Sequence, residues 1–111
     1  MPLSQVVINQ SGPLPIQTQF TYEAVGGAML YITGTAWART ANATIGFEVL
    51  IDGQSVGAAE VYANEAQAHK TMVNAFFPIE LDYGPHQMMV AVLGPAMADS
   101  NDFFDVSIHY Y

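Results

Sequence analysis

Apolar positions recur along this chain with a period of two almost throughout. From Ala43 to Asp52, Ala43, Ile45, Phe47, Val49 and Ile51 fall on one side, and Thr44, Gly46, Glu48 and Asp52 on the other. That alternation marks a strand with one face in a core and one in water. The same phase sets Ile16, Thr18, Phe20 and Tyr22 against Gln17, Gln19, Thr21 and Glu23, and Phe104, Val106, Ile108 and Tyr110 against Asp105, Ser107 and His109. The only helix-compatible stretch is 63–70, where Glu65 and His69 are four apart. It is short and has no cap, so it reads as a loop with at most one turn.

Turn chemistry divides the rest. Gly12-Pro13-Leu14-Pro15, Gly26-Gly27, Asp52-Gly53, Gly84-Pro85 and Gly94-Pro95 are spaced so that about eight short strands fit between them. The expected strands are 4–9, 16–24, 28–39, 43–51, 54–63, 70–81, 86–94 and 103–110. Asp52-Gly53 is the strongest local signal, because a two-residue type I′ turn needs positive φ at both central positions; it should close a hairpin between the fourth and fifth strands. With no repeat and no linker, residues 1–111 are expected to form one all-β domain. Its fold class is a two-sheet antiparallel sandwich of jelly-roll or Greek-key type.

Two strands depart from the one-sided pattern. In 86–94, Met88, Val90 and Val92 lie on one face and Met89, Ala91 and Leu93 on the other. In 28–38, Leu30 and Ile32 point inward while Met29, Tyr31 and Trp37 point outward. A strand apolar on both sides needs cover on both. The cover is either a loop of the same chain or a second subunit, and the composition favours the subunit. Of 111 residues, 51% are hydrophobic and only 11% charged, well below the quarter of charged residues usual in a soluble domain. The interface expected on this reading comprises Met29, Tyr31, Trp37, Met89, Leu93, His109 and Tyr111, and the partner is a further copy of the chain.

Charge narrows the partners further. Ten acidic residues against two basic ones give a formal net charge of −8. Arg39 and Lys70 alone cannot make the electropositive stripe that neutralises phosphates, so nucleic acid and anionic membranes are excluded as partners. No apolar run approaches the eighteen or so residues that span a bilayer. The start, Met1-Pro-Leu-Ser-Gln-Val-Val-Ile, has no basic region and does not read as a secretory signal, which points to synthesis in the cytoplasm. Without that route, the sequons at Asn9 and Asn42 read as chance. Cys is absent, which removes thiolate and disulfide chemistry.

Catalytic patterns fail on local structure. Gly53-Gln54-Ser55-Val56-Gly57 matches G-x-S-x-G, but that motif works at a strand-to-helix turn, and here its first Gly belongs to a hairpin. Asp105, Ser107 and His109 supply the residue types of a triad along one strand face, yet Asp105 and His109 would stand about 14 Å apart. A triad needs contact between successive members. No enzymatic activity and no cofactor are expected, and the three scattered histidines give no zinc spacing. Asp99, Asn101 and Asp102 offer hard oxygen donors for Ca²⁺ in the loop before the last strand, but the EF-hand Gly and distal Glu are missing, and an Asx turn is the favoured reading of the loop. Trp37 with Arg39, Asn64 and Glu65 could stack and hydrogen-bond a sugar, making a glycan a further partner to consider.

The series Gly27-Ala-Met-Leu-Tyr-Ile, Ile45-Gly-Phe-Glu-Val-Leu-Ile-Asp-Gly53, Leu81-Asp-Tyr-Gly-Pro-His86 and Asn101-Asp-Phe-Phe-Asp-Val-Ser-Ile resembles the compact jelly rolls of the C1q and tumour-necrosis-factor-like superfamily. The resemblance implies a trimer, and it extends to jelly rolls of phage head fibres, decoration proteins and tail tips. It implies a non-enzymatic, virion-associated protein that decorates a larger scaffold such as a capsid. The alternative is a lectin-like carbohydrate-binding module.

Overall fold

The computed structural model describes residues 4–111 as ten strands: β1 (Ser4–Ser11), β2 (Ile16–Tyr22), β3 (Gly26–Ala38), β4 (Ala43–Ile51), β5 (Gln54–Ala63), β6 (Lys70–Thr71), β7 (Ala75–Leu81), β8 (Gly84–Leu93), β9 (Ala96–Met97) and β10 (Phe103–Tyr110). They form two antiparallel sheets. One runs β2-β8-β4-β5; the other runs β1-β10-β3, with β7 and β6 along the far edge of the long β3 and β9 pairing with its last residues, Trp37 and Ala38. With β6 and β7 taken as one interrupted strand and β9 set aside, successive strands pass from sheet to sheet, except at the β4–β5 hairpin, in jelly-roll order. The all-β sandwich is therefore the architecture that the period-two pattern predicts.

The phasing sorts residues as expected. Ile45, Phe47, Val49 and Ile51 of β4 meet Phe104, Val106, Ile108 and Tyr110 of β10 and Ala28, Leu30 and Ile32 of β3 in a single core. Phe47 and Phe104 touch edge to face at 5.2 Å across the two sheets, an arrangement that adds about 1 kcal/mol to simple burial. Two glycines let rings approach the backbone: Phe104 lies on Gly34 and Phe77 on Gly57, where a Cβ would overlap each ring. The second contact closes the sandwich between its edge strands β5 and β7.

Asp52 (φ 52°) and Gly53 (φ 84°) both occupy the left-handed region, and Ile51 pairs with Gln54 across them, as a type I′ hairpin requires. Residues 64–69 form a loop with a turn. The expected strand 70–81 is corrected to two pieces, because Met72 turns into the core while Val73 and Asn74 swing out to solvent between β6 and β7. Counting that break and the two-residue β9 at the end of β3, the eight expected strands become ten.

Candidate functional site

The four-stranded sheet presents a cleft of about 300 Å³ on its outer face, near the edge strand β2. Register builds it in two rows. Gln17 of β2, Met89 of β8 and Leu50 of β4 stand side by side, and in the next row Gln19 faces Gln87. Met89 and Leu50 make an apolar floor, and the three glutamines supply amides that both donate and accept. Gln17 Nε2 reaches the Met89 sulfur at 3.3 Å. Gly53, with open space where a Cβ would stand, leaves one end unobstructed. Among the described residues, no charged side chain lines this cleft.

Beside it lies a smaller depression bounded by Gln19, Asp52, Pro85, His86 and Gln87. His86 packs between the rings of Phe20 and Tyr22, with its Nδ1 2.6 Å from Asp52 Oδ2 and its Nε2 2.7 Å from the Asp82 carbonyl. Both neighbours are acceptors, so both ring nitrogens must carry protons for both bonds to form. The Asp52 carboxylate and then the Asp82 carbonyl accordingly hold the imidazole pKa above its usual 6.5. Asp52 moves the other way, below 3.8, because the Gln87 backbone N–H and then His86 donate to its carboxylate. The pair ties the β4–β5 hairpin to the start of β8.

A second histidine and aspartate meet at the other end of β3. Asp102 is fully buried, and Oδ1 accepts from Thr35 Oγ1 at 2.9 Å and from His69 Nδ1 at 2.7 Å, while Oδ2 accepts from the Asp99 N–H at 2.8 Å. Thr35 Oγ1 itself accepts from Phe103 N–H, which directs its own proton toward Asp102. Asp99 Oδ1 accepts from Asn101 N–H, closing an Asx turn. The Asx reading of this loop is thus realised in its hydrogen bonds, with the three donor-bearing residues His69, Asp99 and Asp102 offering ligand atoms all within 4.8 Å of one another. Asn101 is exposed, and its backbone N–H is what serves the turn. Trp37 lies beside His69, ring centroids 6.0 Å apart, and its buried Nε1–H has no acceptor among the described residues.

The seven residues expected at an interface do not share one surface. Met29, Tyr31 and His109 stand in adjoining rows on the outer face of the six-stranded sheet, where Phe76 stacks near Tyr31 at 4.7 Å. Met89 and Leu93 lie on the outer face of the opposite sheet, half covered by cross-strand neighbours such as Leu50. Trp37 is near the far end of β3, partly buried among loop residues, and Tyr111 is exposed beside Gly27. Ser55 sits on β5 opposite Leu50, with a strand following it in place of the helix an elbow needs. Ser107 Oγ does approach His109 Nε2 at 3.2 Å, but the Asp105 carboxylate is engaged by Asn9 Nδ2 at 2.7 Å, leaving the third member of a triad elsewhere.

Sequence reasoning missed the cleft. Its available signal was three outward glutamines, at 17, 19 and 87, where other strands put Thr, Asp or Glu.

A scan against protein-family models and a search of curated proteins both find no match. Solved structures do share the fold. The C-terminal domain of EclA, described as a sugar-binding protein, is similar with a TM-score of 0.51 and 15% identity over 91% of this chain and 69% of that one. The CBM36-1 domain of a multidomain xylanase from the hindgut metagenome of Trinervitermes trinervoides follows at 0.49 and 12%, covering 97% and 98% of the two chains. A carbohydrate-binding module CBM36 in complex with calcium and xylotriose is similar at 0.46 and 15%, covering 93% and 78%. With the strand order of the two sheets, the EclA likeness defines the class as a jelly-roll β-sandwich. The likeness shows the sandwich fold, and it does not show a C1q- or tumour-necrosis-factor-like phage protein.

Proposed function

We propose that this chain is a non-catalytic glycan-binding module whose site is the glutamine-lined cleft on the four-stranded sheet. The observation that carries it is the chemistry of that cleft: amides of Gln17, Gln19 and Gln87 around an apolar floor of Met89 and Leu50, with no charge. A neutral pyranose matches both features. Its hydroxyls act as paired donors and acceptors that planar amides satisfy, and its C–H faces prefer an apolar floor. The sugar-binding description of the EclA domain, which shares the fold, supports the same reading.

Calorimetric titration with a panel of soluble neutral polysaccharides and their oligosaccharides tests it. Saturable binding is expected, weakened about five- to tenfold by Gln17→Ala or Gln87→Ala, the equivalent of one hydrogen bond. Trp37 emission should stay constant during that titration, since the indole is on the other sheet. No saturable binding by any neutral glycan would end the proposal. Self-association is the second reading, favoured by the exposed Phe76 and Val6 beside the half-buried Tyr31 on the six-stranded sheet. Sedimentation at micromolar concentration decides it, and a clean monomer removes it.

A further inference from the structure

The cluster at the far end of β3 is independent of the cleft and carries chemistry that the glycan reading does not use. We infer that His69, Asp99 and Asp102 form a site for a borderline divalent cation of the Zn²⁺ class, which staples the 64–69 and 98–102 loops to β3. The donor set is one imidazole nitrogen and two carboxylates, from two loops. Imidazole favours Zn²⁺ and its transition-metal neighbours, whereas Ca²⁺ favours six or more oxygens.

The site is held ready. Two ligands of one tetrahedral ion, each at about 2.1 Å from it, stand about 3.4 Å apart, and His69 Nδ1 and Asp102 Oδ1, now 2.7 Å apart, need to open by only about 0.7 Å to admit it. The third donor is within 4.8 Å of both, a gap that a rotation of the less buried Asp99 side chain closes. Asp102 is aimed by groups behind it, the Thr35 hydroxyl and the Asp99 N–H, as carboxylate ligands of metals are. Both loops are pinned by backbone bonds, Gln67 N–H to the Ala38 carbonyl and Gly12 N–H to the Asp102 carbonyl, so little ordering remains for the ion to impose.

A second observation comes from Trp37. Its ring centroid stands 6.0 Å from that of His69, and its Nε1–H is the one buried side-chain donor without an acceptor among the described residues. Buried donors are rarely left so, and the water shell completing an ion's coordination supplies the kind of acceptor the protein lacks there. On binding, the proton that His69 Nδ1 shares with Asp102 is displaced to solvent or to Nε2, and the freed lone pair ligates the ion.

The experiment uses untagged full-length protein, chelator-treated, and Zn²⁺ as the probe, read by Trp37 fluorescence and by Tm. Zn²⁺ at about a hundredfold excess over its Kd is expected to raise Tm by about 10 °C and to change Trp37 emission with the same midpoint. His69→Ala should weaken binding about a hundredfold or more, and Asp99→Asn, which can retain the Asx turn, at least about tenfold. Each variant is compared with its own metal-free form, so any loss of basal stability cancels. The inference is overturned if Zn²⁺ at about 1 mM leaves Tm and emission unchanged, if His69→Ala responds like the parent, or if Ca²⁺ binds more tightly than Zn²⁺. Since the readouts involve no sugar, they stand whether or not the cleft binds glycans.

Discussion

Two histidine–aspartate pairs brace this sandwich, and their burial is inverted. At the hub beside β3 the carboxylate is the hidden member: the Asp102 side chain is 0% exposed and that of His69 38%. At the hairpin the imidazole is the hidden member: His86 is 12% exposed and Asp52 51%. The bonds are nearly the same length, 2.7 and 2.6 Å. What differs is which group would be left without water if its partner were lost. A buried carboxylate serving three donors is an organising centre; an exposed carboxylate facing a buried ring is a latch that solvent can replace.

The largest effect follows directly. Asp102→Ala strands the Thr35 hydroxyl, the Asp99 N–H and His69 around an empty site, and should lower unfolding free energy by about 3 kcal/mol or more in urea titrations. Asp52→Ala should cost far less, because water can reach the hairpin side. If the two variants lose equal stability, the inverted burial teaches nothing. Next in size is Thr35→Val, which keeps shape but removes the hydroxyl joining Phe103 N–H to Asp102. It should cost about 1–2 kcal/mol, and a neutral result would show that Asp102 is held by the loops alone.

The strands themselves were legible because each face carries its own local record. The alternation of β4 and β10 and the Asp52-Gly53 turn depend only on neighbouring residues, so burial and φ follow from composition at single positions. The cleft and the hub were not legible for the opposite reason. Gln17 and Met89 are neighbours only because β2 and β8 pair, and His69 reaches Asp102 only because two loops fold over β3. Asp99 and Asp102 stood out in the sequence as oxygen donors, yet nothing near them in the chain names His69. The break between Thr71 and Ala75 escaped for a related reason: apolar Met72 and Val73 continue the strand pattern in sequence while the chain turns one inward and the other out.

A smaller effect distinguishes the pairs by pH. His86 has its pKa raised above 6.5, so the stability its charged form contributes is fully present below about that pH and is lost as pH rises through the raised value. Asp52 is lowered below 3.8, so its contribution is present above that pH and is lost as pH falls through the lowered value. The latch is intact between those two titrations. Tm measured upward from pH 6 should therefore fall by roughly 2–4 °C on the alkaline side, and His86→Gln should flatten that limb. An unchanged alkaline limb in His86→Gln would assign the pH dependence elsewhere.

The smallest expected effect joins the latch to the cleft. Asp52 holds Gln87 twice, accepting from its N–H and donating its own N–H to the Gln87 carbonyl, both at 2.9 Å. Gln87 in turn lines the cleft proposed to bind glycan. Deprotonating His86 leaves the backbone pair in place but removes the ring's positive charge beside Asp52 and leaves one N–H for two acceptors, the Asp52 carboxylate and the Asp82 carbonyl, so the Gln87 amide is less firmly placed without being lost. Glycan affinity should drop only about two- to threefold as His86 titrates, a few tenths of a kcal/mol. The drop should vanish in His86→Gln and persist in His69→Ala. The second variant makes the comparison sharp, because a pH effect that disappears there would mean that the hub, some distance along the sandwich, governs the cleft. The latch would then be only a fastening for the hairpin.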